Sequence, residues 1–226
     1  CAYNEEGQWL FGNLDVETGQ LREYDLPFTE KFPQTEFFWL VLLMVSPVIT
    51  MRTFAQEKAS GTFETLMTTP VSDGHVILAK FFGSYLFFMA AFLPMLTYPF
   101  LLEHYAHETI DVDNGAVLSL GLGIALFGAF FMAMGCFASS LTRSQIVAAV
   151  LTFAAGTSLF MLGYLADLRP SEISWWHPIL QHISILQHME DFSTGIVDSR
   201  PIVYYLSLTC VFLFLTLKSV GSRRWK

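Results

Sequence analysis

Charge is absent from long stretches of this chain and falls in the connections between them. Lys80 and Glu103 enclose 22 residues without Asp, Glu, Lys or Arg, Asp113 and Arg143 enclose 29, and Arg143 and Asp167 enclose 23. Arg200 and Lys218 enclose 17, and Glu36 and Arg52 enclose 15. A helix needs about 20 apolar residues to cross a bilayer, and a charge at its centre costs about 2.5–3.5 kcal/mol on insertion scales. The two shorter runs still qualify, because Arg52 and Lys218 can hold their charges at the interface while their stems lie in lipid. Within the runs apolar residues follow one another and do not alternate, which disfavours a barrel. The backbone must then satisfy itself as helix. The pattern predicts an all-α integral membrane protein with five spans, near 37–54, 77–102, 115–140, 145–166 and 201–219. Residues 1–36 form a separate leading segment and 37–226 the transmembrane domain.

Composition agrees. The 226 residues are 53% hydrophobic and only 14% charged, with a mean hydropathy of +0.47. Ordinary soluble domains carry roughly 25% charge, so a soluble enzyme with a buried core is excluded. A net charge of -8 argues against nucleic acid as a partner, since phosphates are met by basic patches. The 22 Phe, 5 Trp and 8 Tyr exclude disorder.

The basic residues set the orientation. Arg52, Lys58 and Lys80 flank the first connection, Arg143 lies in the third, and Lys218, Arg223, Arg224 and Lys226 close the chain. The alternate connections are acidic, with Glu103, Glu108, Asp111 and Asp113 in one and Asp167, Glu172, Glu190, Asp191 and Asp198 against Arg169 and Arg200 in the other. The positive-inside rule puts the basic set and the C-terminus in the cytoplasm of a cell (inner) membrane, and residues 1–36 outside. An external start implies either a preceding span, making this a fragment, or Cys1 as the lipid-bearing residue of a processed lipoprotein. Cys136 and Cys210 fall within spans, where a thiol behaves as a small hydrophobe. The three cysteines have neither disulfide nor metal spacing.

Most of the chemical information lies between the first two spans, in residues 47–80. Gly61 breaks the helix leaving the membrane, because glycine admits the φ of a sharp turn. Thr62 suits an N-cap, and Phe63, Leu66 and Met67 stand at i, i+3 and i+4 on a helix of about two turns. Pro70 ends it, and Ser72 or Asp73 caps the next helix. The result is a short helix along the membrane surface, with a greasy face and with Glu57, Lys58 and Glu64 as charged neighbours. On residues alone, a solvated hairpin with an incidental surface helix competes equally.

Pro47, Met51-Arg52, Glu57, Gly61-Thr62, Glu64, Leu66, Pro70-Val71 and Lys80 together resemble the ABC-2 type transporter permeases. The subgroup most similar is that of the gliding-motility-associated and nitrous-oxide-reductase maturation permeases. Gln56 departs from the pattern where many relatives carry a second acidic residue. The resemblance implies six spans, of which the first is missing here, and a coupling helix that docks in a groove of a separate ABC ATPase subunit. Its implied docking residues are Glu57, Lys58, Gly61, Thr62, Phe63, Glu64, Leu66, Met67 and Pro70. Phe63, Leu66 and Met67 would fill the groove, and Glu57, Lys58 and Glu64 would form its rim. The chain holds no Gly-x-x-x-x-Gly-Lys-Ser/Thr stretch, so ATP and magnesium are expected on the partner and no cofactor or catalytic residue on this chain. Two permease chains, alike or related, would close a path by two-fold symmetry.

Residues 172–190 keep apolar spacing through Trp176, Ile179, Leu180, Ile183 and Leu186, with Gln181, Ser184 and His188 on the other side. Gln and His recur too often for a span, so an interfacial amphipathic segment is expected, with Trp175 and Trp176 at headgroup level. The resemblance implies that this external segment, including Ile179 and Ile183, dips into the membrane as re-entrant helices. The histidines, with His104 and His107 beside Glu103 and Glu108, do not converge as three or four metal ligands must, and none is assigned as a metal site.

Pro94 and Pro99 interrupt the second span. Gly128 with Gly135 and Ala129 with Ala133 suit close helix packing or a hinge. Spans free of charge disfavour an ion-coupled mechanism and suit a hydrophobic or lipid-like cargo. An exporter permease is therefore the leading reading. An ATP-independent transporter or scaffold, and an intramembrane enzyme using Ser158, are the alternatives.

Overall fold

A computed structural model describes residues 36–63, 72–105, 114–167 and 184–222. All regular elements among them are helices: α1 Glu36–Thr50, α2 Ala55–Ser60, α3 Asp73–Tyr105, α4 Asn114–Leu141, α5 Gln145–Asp167, α6 Ile185–Ser193 and α7 Ser199–Gly221. Five stretches are long and apolar enough to cross a membrane: Phe38–Ser60, Asp73–Leu101, Asn114–Leu141, Gln145–Tyr164 and Ser199–Gly221. These are the five expected spans, with ends displaced by a few residues.

The bundle is organised around α4. Its apolar window is 72% buried inside the chain, against 44% for the first span and 17–28% for the rest. α1, α3, α5, α6 and α7 all pack on it, and α7 does so along much of its length. Lipid is as apolar as a leucine side chain, so close packing drives this association more than the hydrophobic effect does. Glycine permits the approach. A Cβ on Gly128 would run into the Phe88 ring of α3, and one on Gly135 into the Thr50 side chain of α1. The packed-face reading of Gly128 and Gly135 thus has its physical cause in two neighbouring spans. Aromatic rings fill the rest: Phe127 stacks on Phe131 at 4.3 Å, while Trp39 and Tyr205 meet Phe127 edge-on at 5.9 and 6.2 Å.

α1 runs through Pro47, which has no N–H to donate to the carbonyl four residues back, and stops at Thr50. A turn of residues 51–54 follows, and then α2. α3 runs through both Pro94 and Pro99 as one helix, so neither proline interrupts this span, contrary to the expectation. Asp198 caps α7 by accepting from the Arg200 amide at 3.2 Å.

α6 corrects one expectation. Ser184 is its N-cap, with the side chain accepting from the Gln187 amide at 3.4 Å, and the helix is phased from there. Ile185, His188, Met189 and Phe192 form the buried face. Ser184 and His188 therefore point into the protein and not to the polar side. Phe192 and Met189 occupy the space left open by Gly123 of α4. The greasy face of α6 thus packs on the bundle. Trp175, Trp176, Ile179 and Ile183 lie outside the described residues.

Candidate functional site

One hydroxyl makes three of the bonds that hold the turn after α1. Ser139, near the end of α4, accepts the Phe54 and Ala55 amides, each at 3.0 Å, and donates to the Met51 carbonyl at 3.2 Å. The turn leaves these backbone groups without helical partners, and a buried unpaired amide costs about 1–3 kcal/mol. Ser139 is fully buried, so its hydroxyl replaces water that cannot reach the turn. Nothing in the spacing of the sequence singled it out.

Two lysines then fix α2. Lys58 is buried and donates from Nζ to the Ser140 carbonyl, one of the last carbonyls of α4. Such carbonyls have no intrahelical partner and carry the negative end of the helix dipole, so a cation there is doubly favoured. Ser219 of α7 donates to the same carbonyl at 3.3 Å. Lys80, in the second turn of α3, reaches back to Glu57 at 2.5 Å and to the Thr53 carbonyl at 2.6 Å. Exposed ion pairs contribute about 0–1 kcal/mol. This one is partly sheltered, with side chains 18% and 32% exposed, and the ammonium also lies 5.1 Å from the centre of the Phe54 ring.

Gly61 ends α2 with φ of +77°, the left-handed conformation that its place in the sequence demanded. Thr62 is already helical, and its hydroxyl turns back to Ser60 at 2.8 Å and to the Glu57 carbonyl at 3.5 Å. Phe63 is buried, in one cluster with Phe54, Ile77, Cys136 and Val220, and the Lys58 ammonium stands 5.2 Å from its ring centre. Phe63 and Lys58 are thus turned into the chain, because the end of α4 offers a carbonyl to one and an apolar hollow to the other. Gly61 and Thr62 are exposed. Glu64, Leu66, Met67 and Pro70 lie outside the described residues. On the far side of the connection Ser72 opens α3, its carbonyl accepting from His75 and Val76 at 3.0 and 3.3 Å.

These contacts gather the ends of α1, α4 and α7 with the start of α3 at one end of the bundle. Arg52, Lys58, Lys80, Arg143 and Lys218 occupy this same end, while Arg200 stands at the start of α7 beside Asp198. Glu190, Asp191 and Asp198 lie at the other end, where Gly195 comes against Ala116 and Gly163 against Ser184. The model of the ABC-2 family transporter proteins matches residues 15–218. The chain belongs to that family. It matches no curated protein and no solved structure.

As an ABC-2 family transporter protein it is a multi-pass membrane permease, and its organised polar chemistry lies outside the apolar bundle core. Besides the basic end, there is a small acidic group at the opposite end. Burial, with Asp198 alongside, raises the Asp191 carboxyl above the ordinary range. Among the described residues no set of three or more His, Cys, Asp or Glu is grouped to hold a metal.

Proposed function

We propose that this permease is the membrane subunit of an ATP-driven exporter, worked by a separate ABC ATPase that binds ATP and magnesium and engages the connection between α1 and α3. The observation that carries the reading is the anchoring of α2. Bonds from Ser139, Lys58 and Lys80 join the turn and α2 to α3 and α4, and Ser219 adds α7 through the Ser140 carbonyl. A displacement applied at this connection is therefore delivered to several spans together.

The basic end is the cytoplasmic one in this reading, following the positive-inside rule, so the C-terminus is cytoplasmic in a cell (inner) membrane. A second copy or a related permease completes the path. Phe63 and Lys58 act from within, as supports of the docking segment, and the surface offered to the ATPase begins at Gly61 and Thr62 and continues through Glu64, Leu66 and Met67. Leu66→Asp tests this. It should abolish co-purification with the ATPase while the permease still inserts in the membrane. A complex that survives the change intact overturns this docking surface.

A further inference from the structure

The helix α2 is joined to its neighbours by two different kinds of link. Towards α4 the links end on backbone groups: Lys58 on the Ser140 carbonyl, and the Phe54 and Ala55 amides on Ser139. Towards α3 the polar side-chain link is a charged pair, Lys80 with Glu57 at 2.5 Å, backed by the Thr53 carbonyl at 2.6 Å, beside the packing of Phe54 and Phe63 in one cluster with Ile77. The second carboxylate oxygen of Glu57 is buried and has no hydrogen-bond partner among the described residues, so Lys80 is what compensates this charge. Between the two partners the chain passes through Gly61, whose left-handed backbone ends α2.

We propose that Lys80 is a positioning residue for coupling: its pair with Glu57 is a strut that makes α3 follow α2 when the connection between them is displaced. The inference rests on the docking reading above. Without the strut, a push on the connection is absorbed by rotation about Gly61. With it, α2 and the first turns of α3 move as one body. The movement of α3 is then passed on to the middle of α4, beyond the direct links at Ser139 and Ser140, because the Phe88 ring of α3 fills the space over Gly128. Lys80 is thus distinguished from a partner contact. Its ammonium is turned towards its own chain, over the Phe54 ring, and its side chain is 18% exposed.

The test uses the permease–ATPase complex in lipid vesicles, with an environment-sensitive fluorophore on Ile196→Cys at the far end and the native cysteines replaced. Ile196 is 59% exposed, so the label should not disturb packing. Wild type should respond to ATP with vanadate. Lys80→Glu should bind the ATPase as wild type does yet lose the response by about tenfold; Glu57→Lys, read on the fraction of permease that holds the ATPase, should lose it too, and the double exchange should restore most of it, as coupling between two partners requires. Glu57→Gln, which removes the charge and keeps the size, should reduce the response and decides the matter if the reversed variants fail to insert. An unaltered response in a folded single variant overturns the proposal, as does a double exchange no better than its parents, or a wild type with no response. Loss of ATPase binding by Lys80→Glu also overturns it, since Lys80 would then be a partner contact. A wild-type permease that binds no ATPase fails earlier and refutes the docking reading itself.

Discussion

Ser139 shows how one small side chain can decide a local structure. Its oxygen serves two amides and a carbonyl in the turn after α1. Ser139→Ala leaves the Phe54 and Ala55 amides buried without partners, at about 1–3 kcal/mol for each group stranded. A clear fall in the midpoint of thermal unfolding in detergent is expected; an unchanged midpoint would mean that the turn holds itself. Asp191 makes a prediction of opposite sign. Its carboxyl is raised by burial and by Asp198, so the folded chain holds this proton more tightly than the unfolded chain does. The associated stability is present in acid and is lost as pH rises through the raised value. Asp191→Asn should therefore raise the unfolding midpoint at neutral pH, with the difference closing as the solution is made acid. A midpoint difference independent of pH would contradict the assigned cause.

Among the elements, the spans were legible because their signal is one-dimensional. A charge-free run such as 114–142 identifies a helix in lipid whatever packs on it, and α4 spans Asn114–Leu141. Gly61 was legible for the same reason, since a left-handed turn is a local demand. The burial of Phe63 and Lys58 was not, because apolar spacing shows that residues share a face without showing what covers it. Here the cover comes from Cys136 and Ser140 of α4, far along the chain. The phase of α6 was missed because Ser184 resets it. Glycine can be tested at the same scale. Replacing Gly by Ala inside a helix gains up to about 1 kcal/mol in propensity, while overpacking costs typically 1–3 kcal/mol. Gly83→Ala of α3 meets nothing within 4 Å, so its unfolding midpoint should hold or rise. Gly128→Ala drives a methyl into the Phe88 ring and should lower it. Equal behaviour of the two would mean that the helices separate at little cost.

Across the whole molecule, the separation of charge is what gives the bundle a direction. The ends of α1, α4 and α7 and the start of α3 carry Arg52, Arg143, Lys218 and Lys80 against Glu57 and Asp73, and the opposite end carries Glu190, Asp191 and Asp198 against Arg200. Basic residues near a span resist translocation, so the end that holds them is retained in the cytoplasm during insertion. The prediction follows from two exposed positions at opposite ends, Arg143 in the turn between α4 and α5 and Ile196 in the connection before α7. A membrane-impermeant thiol reagent should label Ile196→Cys in intact cells and Arg143→Cys only once the membrane is opened, each measured with Cys1, Cys136 and Cys210 replaced. Removing one basic residue in the second variant leaves the rest of the cluster in place, so the topology itself should not turn over. Labelling in the reverse order would put α2 and the connection to α3 on the outer side, where no ATP-hydrolysing subunit can reach them. The anchoring of α2 by Ser139, Lys58 and Lys80 would then need a reason confined to the permease itself.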